Sequence, residues 1–180
     1  MSHHVLVILS PGFEEIEAIT VIDILRRAGI GVVTASLGDS REVAGSHQII
    51  VAADCLLSDV NASDMTALVL PGGMRGVENM LASETLMSLV PEFSGRVLAA
   101  VCAAPLVLDA CGLLDGHRFT AHPCIHGRLR ASGLDPVPAV TDGDIVTGRS
   151  AGCAMDWALA LVERLLGSLP DKLLNGLCRP

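Results

Sequence analysis

The chain has 180 residues, a net charge of −8 at pH 7 and 51% hydrophobic residues, with aromatic residues at only 2%. This length predicts a single domain over residues 1–180 with a core built from aliphatic side chains. The acidic charge without a Lys/Arg cluster argues against a nucleic-acid surface, and no apolar run reaches the roughly 20 residues that would cross a bilayer.

The cysteines and the first residues indicate a cytoplasmic protein. The start of the chain has no basic segment, and its apolar run is too short for a signal peptide. His3 and His4 are given no role. The cysteines show no tight disulfide spacing and are expected to be free thiols. They are Cys55, Cys102, Cys111, Cys124, Cys153 and Cys178.

Strand and helix patterns alternate along the chain, which predicts an α/β fold with a mostly parallel sheet and helices on both faces. Strands are predicted at 5–9, 31–37, 48–52 with a hairpin partner near 41–45, 67–70, 97–101, 137–141 and 145–147. A short extended piece is predicted from Thr120. Helices are predicted at 14–27, within about 77–90, from 103 to about 111, at 153–166, and for one further turn after Gly167.

Cys102 stands where a buried strand is predicted to turn into a helix. Residues 97–101 are apolar, and Pro105 suits the first turn of a helix. A thiol at a helix start faces free N–H groups, which favour the thiolate. The small neighbours Ala103 and Ala104 suit the sharp turn of a nucleophile elbow. The alternative is that Cys102 is a small buried hydrophobic residue, as most free cysteines are.

Pro71-Gly72-Gly73 follows another predicted buried strand. It lacks the lysine and the spacing of a phosphate loop, so it does not predict nucleotide binding. A Gly-Gly turn exposes backbone N–H groups, which could stabilise an oxyanion if the turn lies beside the cysteine. The alternative is an ordinary turn between a strand and a helix.

Glu17 lies at the edge between the core face and the polar face of the first predicted helix. An edge glutamate is usually solvated, but the start of this helix also lies at the carboxyl edge of the sheet, where ligands bind in such folds. Ile16 and Ile24 interrupt the polar face, which suggests a second packing surface such as a subunit contact.

His122, Cys124 and His126 form a compact group of residue types that can bind a metal. Structural zinc sites use four convergent ligands, commonly in two separated pairs, and no second pair is visible. The sequence therefore predicts no metal and no cofactor, and a site loop that holds His122.

Three motifs in this order carry a resemblance to a known family: the Glu-Glu-x-Glu start that ends at Glu17, Leu70-Pro71-Gly72-Gly73, and the segment around Cys102. Together they resemble the DJ-one/ThiJ/PfpI superfamily, and within it the Parkinson-associated deglycase branch, from Val5 to about Leu166. The resemblance implies a flavodoxin-like three-layer sandwich that forms a homodimer.

The resemblance also implies roles for individual residues. Cys102 matches the family's nucleophile, Glu17 its acidic partner, and His122 the histidine near the thiol. The implied oxyanion and binding groups are Gly72, Gly73, Ala103 and Arg149, the last beside Ser150 in a loop near the cysteine. Positions around the family's dimer contacts match Asp23, Arg26 and Arg27.

Departures from related branches narrow the implied chemistry. The His-x-Glu of glutamine amidotransferases is absent, and Ala103 replaces the histidine that follows the cysteine in the peptidase-like branch, so proteolysis is not expected. The family's second oxidisable cysteine is Ala52 here, and Cys55 lies three residues later.

The expected function is a cysteine-dependent enzyme that acts on a small aldehyde or a glycated substrate. The family activities implied are glutathione-independent glyoxalase and protein or nucleotide deglycase, with thiolate addition to the carbonyl and proton transfer by Glu17. The alternative is an oxidative-stress sensor or redox-regulated chaperone in which Cys102 is oxidised to sulfinate.

Overall fold

The structure is a computed structural model and describes residues 4–179. The strands are His4–Leu9 (β1), Gly31–Ser36 (β2), Glu42–Ala44 (β3), Ile50–Ala52 (β4), Cys55–Leu56 (β5), Ala67–Leu70 (β6), Val97–Val101 (β7), Ala139–Asp142 (β8) and Ile145–Gly148 (β9). The α-helices are Glu15–Arg27 (α1), Met74–Ala82 (α2), Glu84–Leu89 (α3), Pro105–Ala110 (α4), Ala154–Leu166 (α5) and Asp171–Gly176 (α6).

The central sheet has the strand order β5-β2-β1-β6-β7-β9-β8 and is parallel except for β8, which runs antiparallel to β9. The chain passes from β1 to β2 on one side and later to β6 and β7 on the other. The strand order therefore reverses between β1 and β6. In doubly wound sheets, ligands bind outside the carboxyl ends of the strands at such a reversal.

Helices cover both faces of the sheet, so the predicted three-layer α/β sandwich is confirmed. Successive residues of β1 point to opposite faces, as the pleat of a strand requires. Val5 and Val7 pack in the layer that contains α1 and α5, whereas Leu6 and Ile8 pack in the layer that contains α2, α3 and α4. The core is aliphatic, as the composition predicts, and its few aromatic side chains include the buried Trp157.

Several local predictions are confirmed. The hairpin partner of 48–52 is β3, which pairs antiparallel with β4. The Asp142-Gly143 turn joins β8 to β9, and the extra helical turn after Gly167 is α6.

One element prediction is wrong. The single helix expected within 77–90 is two helices, because the backbone at Ser83 is extended and its side chain caps α3 by accepting a hydrogen bond from the Leu86 N–H at 3.2 Å. The short piece from Thr120 does not join the sheet as a strand. The Thr120 N–H is bonded to the Thr147 hydroxyl at 2.8 Å.

Among residues 4–179, no helix is long and apolar enough to cross a membrane.

Candidate active site

The carboxyl ends of β6 and β7 bring two of the predicted motifs together. The two strands pair in parallel, with Leu70 opposite Ala100. The residues that follow, Gly72 and Cys102, therefore emerge at the same edge of the sheet. An alanine Cβ placed on Gly72 would lie 2.7 Å from the Cys102 Cβ, which shows how closely the two turns approach.

Cys102 forms a strained elbow between β7 and α4. Its φ is +62°, in the left-handed region that residues other than glycine rarely adopt. Two long-range hydrogen bonds hold it there, since the Cys102 N–H donates to the Gly148 carbonyl and the Cys102 carbonyl accepts from the His122 N–H, both at 2.9 Å. Strain that the surrounding structure enforces at a single residue is characteristic of functional sites.

Glu17 is fully buried beside this elbow, although its place on the helical wheel suggested a partly solvated edge. Its Oε2 accepts a hydrogen bond from the Gly72 N–H at 2.8 Å. Its Oε1 is buried and has no hydrogen-bond partner of good geometry. The turn after β6 covers this end of α1 and excludes water from the carboxyl group, which the spacing within α1 cannot reveal.

Both glycines of the turn are required by the space around them. A Cβ on Gly72 would approach Glu17 Oε2 to 2.6 Å and the Val101 carbonyl oxygen to 2.9 Å. Gly73 has a φ of +86°, and a Cβ on it would lie 2.7 Å from the Glu14 backbone nitrogen. The glycines thus allow the backbone to approach the thiol and the carboxyl group directly.

Burial and mutual repulsion shift the ionisation of both side chains. Burial, together with the negative charge of Glu14, raises the pKa of Glu17 to about 7, although hydrogen bonds from the Gly72 N–H and with Cys102 act in the opposite direction. Burial, followed by the charge of Glu17 and their hydrogen bond, raises the pKa of the Cys102 thiol above its usual value. The N–H groups of Gly73 and Ala103 lower the pKa of this thiol, but by less.

This result corrects the expectation that the helix start alone favours the Cys102 thiolate. The helix that follows, α4, has only six residues, so its dipole is small, and the thiol lies next to a carboxyl group in a desolvated pocket. The two groups titrate as a coupled pair. A thiolate at Cys102 is therefore favoured only when the neighbouring Glu17 carries a proton.

His122 reaches the site mainly through its backbone, whose N–H is bonded to the Cys102 carbonyl. Its ring is half-buried, and its Nδ1 accepts a hydrogen bond from the Cys124 N–H at 3.2 Å. A neutral ring with this bond carries its proton on Nε2. The role of the ring in proton transfer or substrate orientation stays a prediction.

Arg149 immediately follows Gly148, whose carbonyl fixes the Cys102 backbone. Its guanidinium donates a hydrogen bond to the Pro136 carbonyl at 2.8 Å, and its N–H donates to the Pro138 carbonyl at 3.0 Å. These bonds hold the loop before β8 near the site. A direct role for Arg149 in substrate binding stays a prediction.

Sequence reasoning missed Gly148 as part of the site. A Cβ on this residue would lie 2.7 Å from the Cβ of Trp157 and 2.9 Å from a methyl group of Val101. The small residue and the large tryptophan complement each other and set the position of the carbonyl that holds Cys102. No local signal marks Gly148, because its partners lie on β7 and α5.

Within residues 4–179, the side chains whose ligand atoms converge closely enough for a metal are Glu14, Glu15 and His47, with those atoms within 4.8 Å of one another. Glu15 already accepts hydrogen bonds from the His47 N–H at 2.6 Å and the Ser46 hydroxyl at 3.1 Å. Glu14 caps α1 by accepting from the Glu17 N–H at 2.8 Å. The group is thus bonded within itself, and the expected absence of a metal stays a prediction.

Comparison with known proteins fits this arrangement of a cysteine elbow beside a buried glutamate. A family profile described as the DJ-1/PfpI family matches residues 3–164. The chain belongs to the DJ-1/PfpI family. The family predicted from the three motifs is therefore confirmed.

Relatives of this DJ-1/PfpI chain occur in plants, animals and archaea. Protein dj-1beta of Drosophila melanogaster is 38% identical over 171 residues, which cover 93% of this chain and 91% of the relative. A protein of Pyrococcus abyssi named as a deglycase is 32% identical and is covered over 98% of its length. The chain spans only 38% and 42% of the length of two Arabidopsis thaliana relatives, DJ-1 homologs B and A.

Solved structures of DJ-1 proteins share the fold over the whole chain. The crystal structure of Drosophila DJ-1beta matches with a TM-score of 0.92 and covers 100% of both chains. Toxoplasma gondii DJ-1, solved in an oxidised state, matches with a TM-score of 0.92 at 34% identity and covers 99% of both chains.

Proposed function

We propose that this DJ-1/PfpI protein converts reactive aldehydes through the Cys102 thiolate, with Glu17 as the acid and base, as a glutathione-independent glyoxalase or a deglycase. The observation that carries the proposal is the buried pair itself. A nucleophile in an enforced left-handed elbow stands beside a desolvated carboxyl group, and the backbone N–H groups of Gly73 and Ala103 lower the pKa of its thiol.

The first step is addition of the Cys102 sulfur to the aldehyde carbon of an α-ketoaldehyde such as methylglyoxal. The C=O π bond breaks as the C–S bond forms, and the resulting alkoxide takes up a proton to give a hemithioacetal. The N–H groups of Gly73 and Ala103 lower the pKa of the thiol, which supports a position from which they can stabilise the adjacent oxyanion.

The second step moves a proton between neighbouring carbons. The Glu17 carboxylate removes the proton from the hemithioacetal carbon to give an enediol and returns it to the adjacent carbon, which leaves a lactoyl thioester on Cys102. Water hydrolyses the thioester to lactate and restores the thiol. The sum is methylglyoxal plus water to lactate. A carboxyl group with a pKa of about 7 is suited to giving and taking a proton near neutral pH.

The test is lactate formation from methylglyoxal in the absence of glutathione. Cys102→Ser should abolish turnover, and Glu17→Gln should lower kcat by roughly 10²–10⁴ because it removes the proton acceptor. Cys178→Ser changes an exposed cysteine in the C-terminal tail and serves as the matched control. A Glu17→Gln variant with the wild-type rate would show that the mechanism is wrong. Release of lysine or guanosine from its methylglyoxal adduct tests the deglycase activity in the same variants.

A second candidate is oxidation sensing, including a redox-regulated chaperone. It is supported by the partial exposure of Cys102 and by Glu17, which when protonated can donate a hydrogen bond to an oxidised sulfur. Selective oxidation of Cys102 by mild peroxide, with no turnover of ketoaldehydes by the reduced protein, would favour the sensor over the enzyme.

We also propose a homodimer, supported by exposed apolar side chains: Ile16 and Ile19 of α1, and Ile49 and Ile50 at the β3–β4 hairpin. These side chains are 44–64% exposed. Ile24, expected on the same surface as Ile16, is instead buried in the core. Single exposed apolar residues are common, but four on neighbouring elements mark a contact surface. Sedimentation should show a dimer for the wild type and a monomer for Ile16→Lys. A monomeric wild type would contradict the proposal.

The proposed compartment is the cytoplasm, which is supported by six cysteines that are all free.

A further inference from the structure

A short segment lies next to the Cys102 elbow. It is the 3-10 turn Pro123–Arg128, capped by His122. At its start the His122 N–H donates to the Cys102 carbonyl at 2.9 Å. At its end the Arg128 guanidinium contacts the Met74 sulfur at 3.4 Å. Met74 directly follows the Gly72-Gly73 turn, where a Cβ on Gly72 would lie 2.7 Å from the Cys102 Cβ, so both ends of this segment contact backbone that borders the thiol.

Cys124 lies within this turn and is exposed. One hydrogen bond, from the His122 N–H to the Cys102 carbonyl, and two residues separate it from Cys102 along the backbone. Consecutive Cα atoms are about 3.8 Å apart and the hydrogen-bonded link adds about 7 Å, so the Cα atoms of the two cysteines lie at most about 14 Å apart. A disulfide needs roughly 4.4–6.8 Å between them, so its formation requires the turn to move towards Cys102.

The other cysteines are placed less well. Cys55 is on the outermost strand β5, Cys111 follows the far end of α4, and Cys178 is in the C-terminal tail. Cys153 precedes α5, and its sulfur accepts a hydrogen bond from the Ser150 hydroxyl at 3.7 Å. Cys153 is the strongest alternative partner for Cys102, because it follows β9, whose Gly148 carbonyl bonds the Cys102 N–H. Cys153→Ser is therefore the control variant.

We propose that Cys124 is the resolving thiol of Cys102, so that oxidation by a hydroperoxide ends in a reversible Cys102–Cys124 disulfide. The disulfide proposal rests on the proposed function only because it requires a nucleophilic Cys102. The Cys102 thiolate attacks the peroxide oxygen, the O–O bond breaks, and sulfenic acid and an alcohol or water form. The Cys124 thiolate then attacks the Cys102 sulfur, the S–O bond breaks, and the hydroxide leaves as water.

The consequence is protection of the nucleophile under oxidising conditions. A sulfenic acid that forms a disulfide does not proceed to sulfinate, which is irreversible for most proteins. The disulfide closes the turn over Cys102 and stops aldehyde chemistry until a thiol reductant restores both cysteines. Cys124 is exposed, whereas Ile125 beside it is fully buried, so the closure moves Cys124 about this buried residue.

The experiment treats the reduced full-length protein with hydrogen peroxide near 0.1 mM and maps its peptides without reduction. Wild type and Cys153→Ser should give a peptide pair linked through Cys102 and Cys124, and dithiothreitol should restore their activity. Cys124→Ser should instead accumulate sulfinate at Cys102 roughly tenfold faster, because an intramolecular thiol at an effective concentration of about 1 mM no longer competes with peroxide.

Three results overturn the proposal: equal sulfinate formation in wild type and Cys124→Ser, a linked peptide through Cys153, or a thiol at Cys102 that peroxide leaves unchanged. Lactate formation by the reduced proteins is measured separately. A linked Cys102–Cys124 peptide in a protein that makes no lactate supports the switch while the aldehyde activity fails. Lactate formation with no linked peptide does the reverse.

Discussion

Replacing Glu17 with glutamine should stabilise the protein above neutral pH while it removes the proposed aldehyde activity. The buried carboxyl group has a pKa raised from 4.5 to about 7, chiefly by burial. Above that pH the folded protein must hold a desolvated negative charge next to Cys102. Glutamine has nearly the same shape, can accept the Gly72 N–H bond through its amide oxygen, and carries no charge.

The size of the effect follows from the shift. A rise of about 2.5 pKa units corresponds to about 3 kcal/mol at about 1.36 kcal/mol per unit. The folded state holds this proton more tightly than the unfolded state, so the stabilisation is fully present below pH 4.5 and is lost as the pH rises through about 7. The wild-type free energy of unfolding should therefore fall by about 3 kcal/mol across this range through Glu17 alone.

Urea denaturation at pH 4.5 and pH 8 measures the difference. The free energy of unfolding of Glu17→Gln should not show this decrease, and at pH 8 it should exceed that of the wild type by up to about 3 kcal/mol. Glu78→Gln, at an exposed position of α2, is the control and should follow the wild type at both pH values. If Glu17→Gln and wild type lose the same free energy between the two pH values, Glu17 titrates as it does in the unfolded chain and the reasoning is refuted.

Three further variants test the packing and charge around the site. Gly72→Ala should lower stability by roughly 1–3 kcal/mol and abolish lactate formation, whereas Gly176→Ala, with nothing within 4 Å of its added Cβ, should do neither. Gly148→Ala should cost roughly 1–3 kcal/mol by collision with Trp157, and an unchanged free energy of unfolding in urea would contradict this contact. Glu15→Gln should destabilise by roughly 1–3 kcal/mol at pH 7. The Glu15 pKa is lowered to about 2, where hydrogen bonds from His47 outweigh burial, so the deficit should shrink as pH falls from 4.5 towards 2; a constant deficit would contradict this.

The apolar patterns predicted most of the architecture, because a strand that is buried on both faces is a continuous apolar run in the sequence. The run at 97–101 and Pro105 predicted β7, the elbow and α4, and the structure places them there. The single helix predicted within 77–90 was wrong, since helical periodicity continues across Ser83 while its cap breaks the backbone.

The sequence by itself also predicted the chemistry available: a cysteine at a strand end, a Gly-Gly turn and a glutamate at the start of α1. Local sequence could do this because turn and helix-start signals depend on nearby residues. The tertiary structure decided how these groups behave. Glu17 is buried by a turn 55 residues away, and Cys102 is held in its elbow by Gly148 and His122. Desolvation and charge repulsion act through space between distant segments of the chain. The raised pKa values of Glu17 and Cys102 therefore depend on the fold.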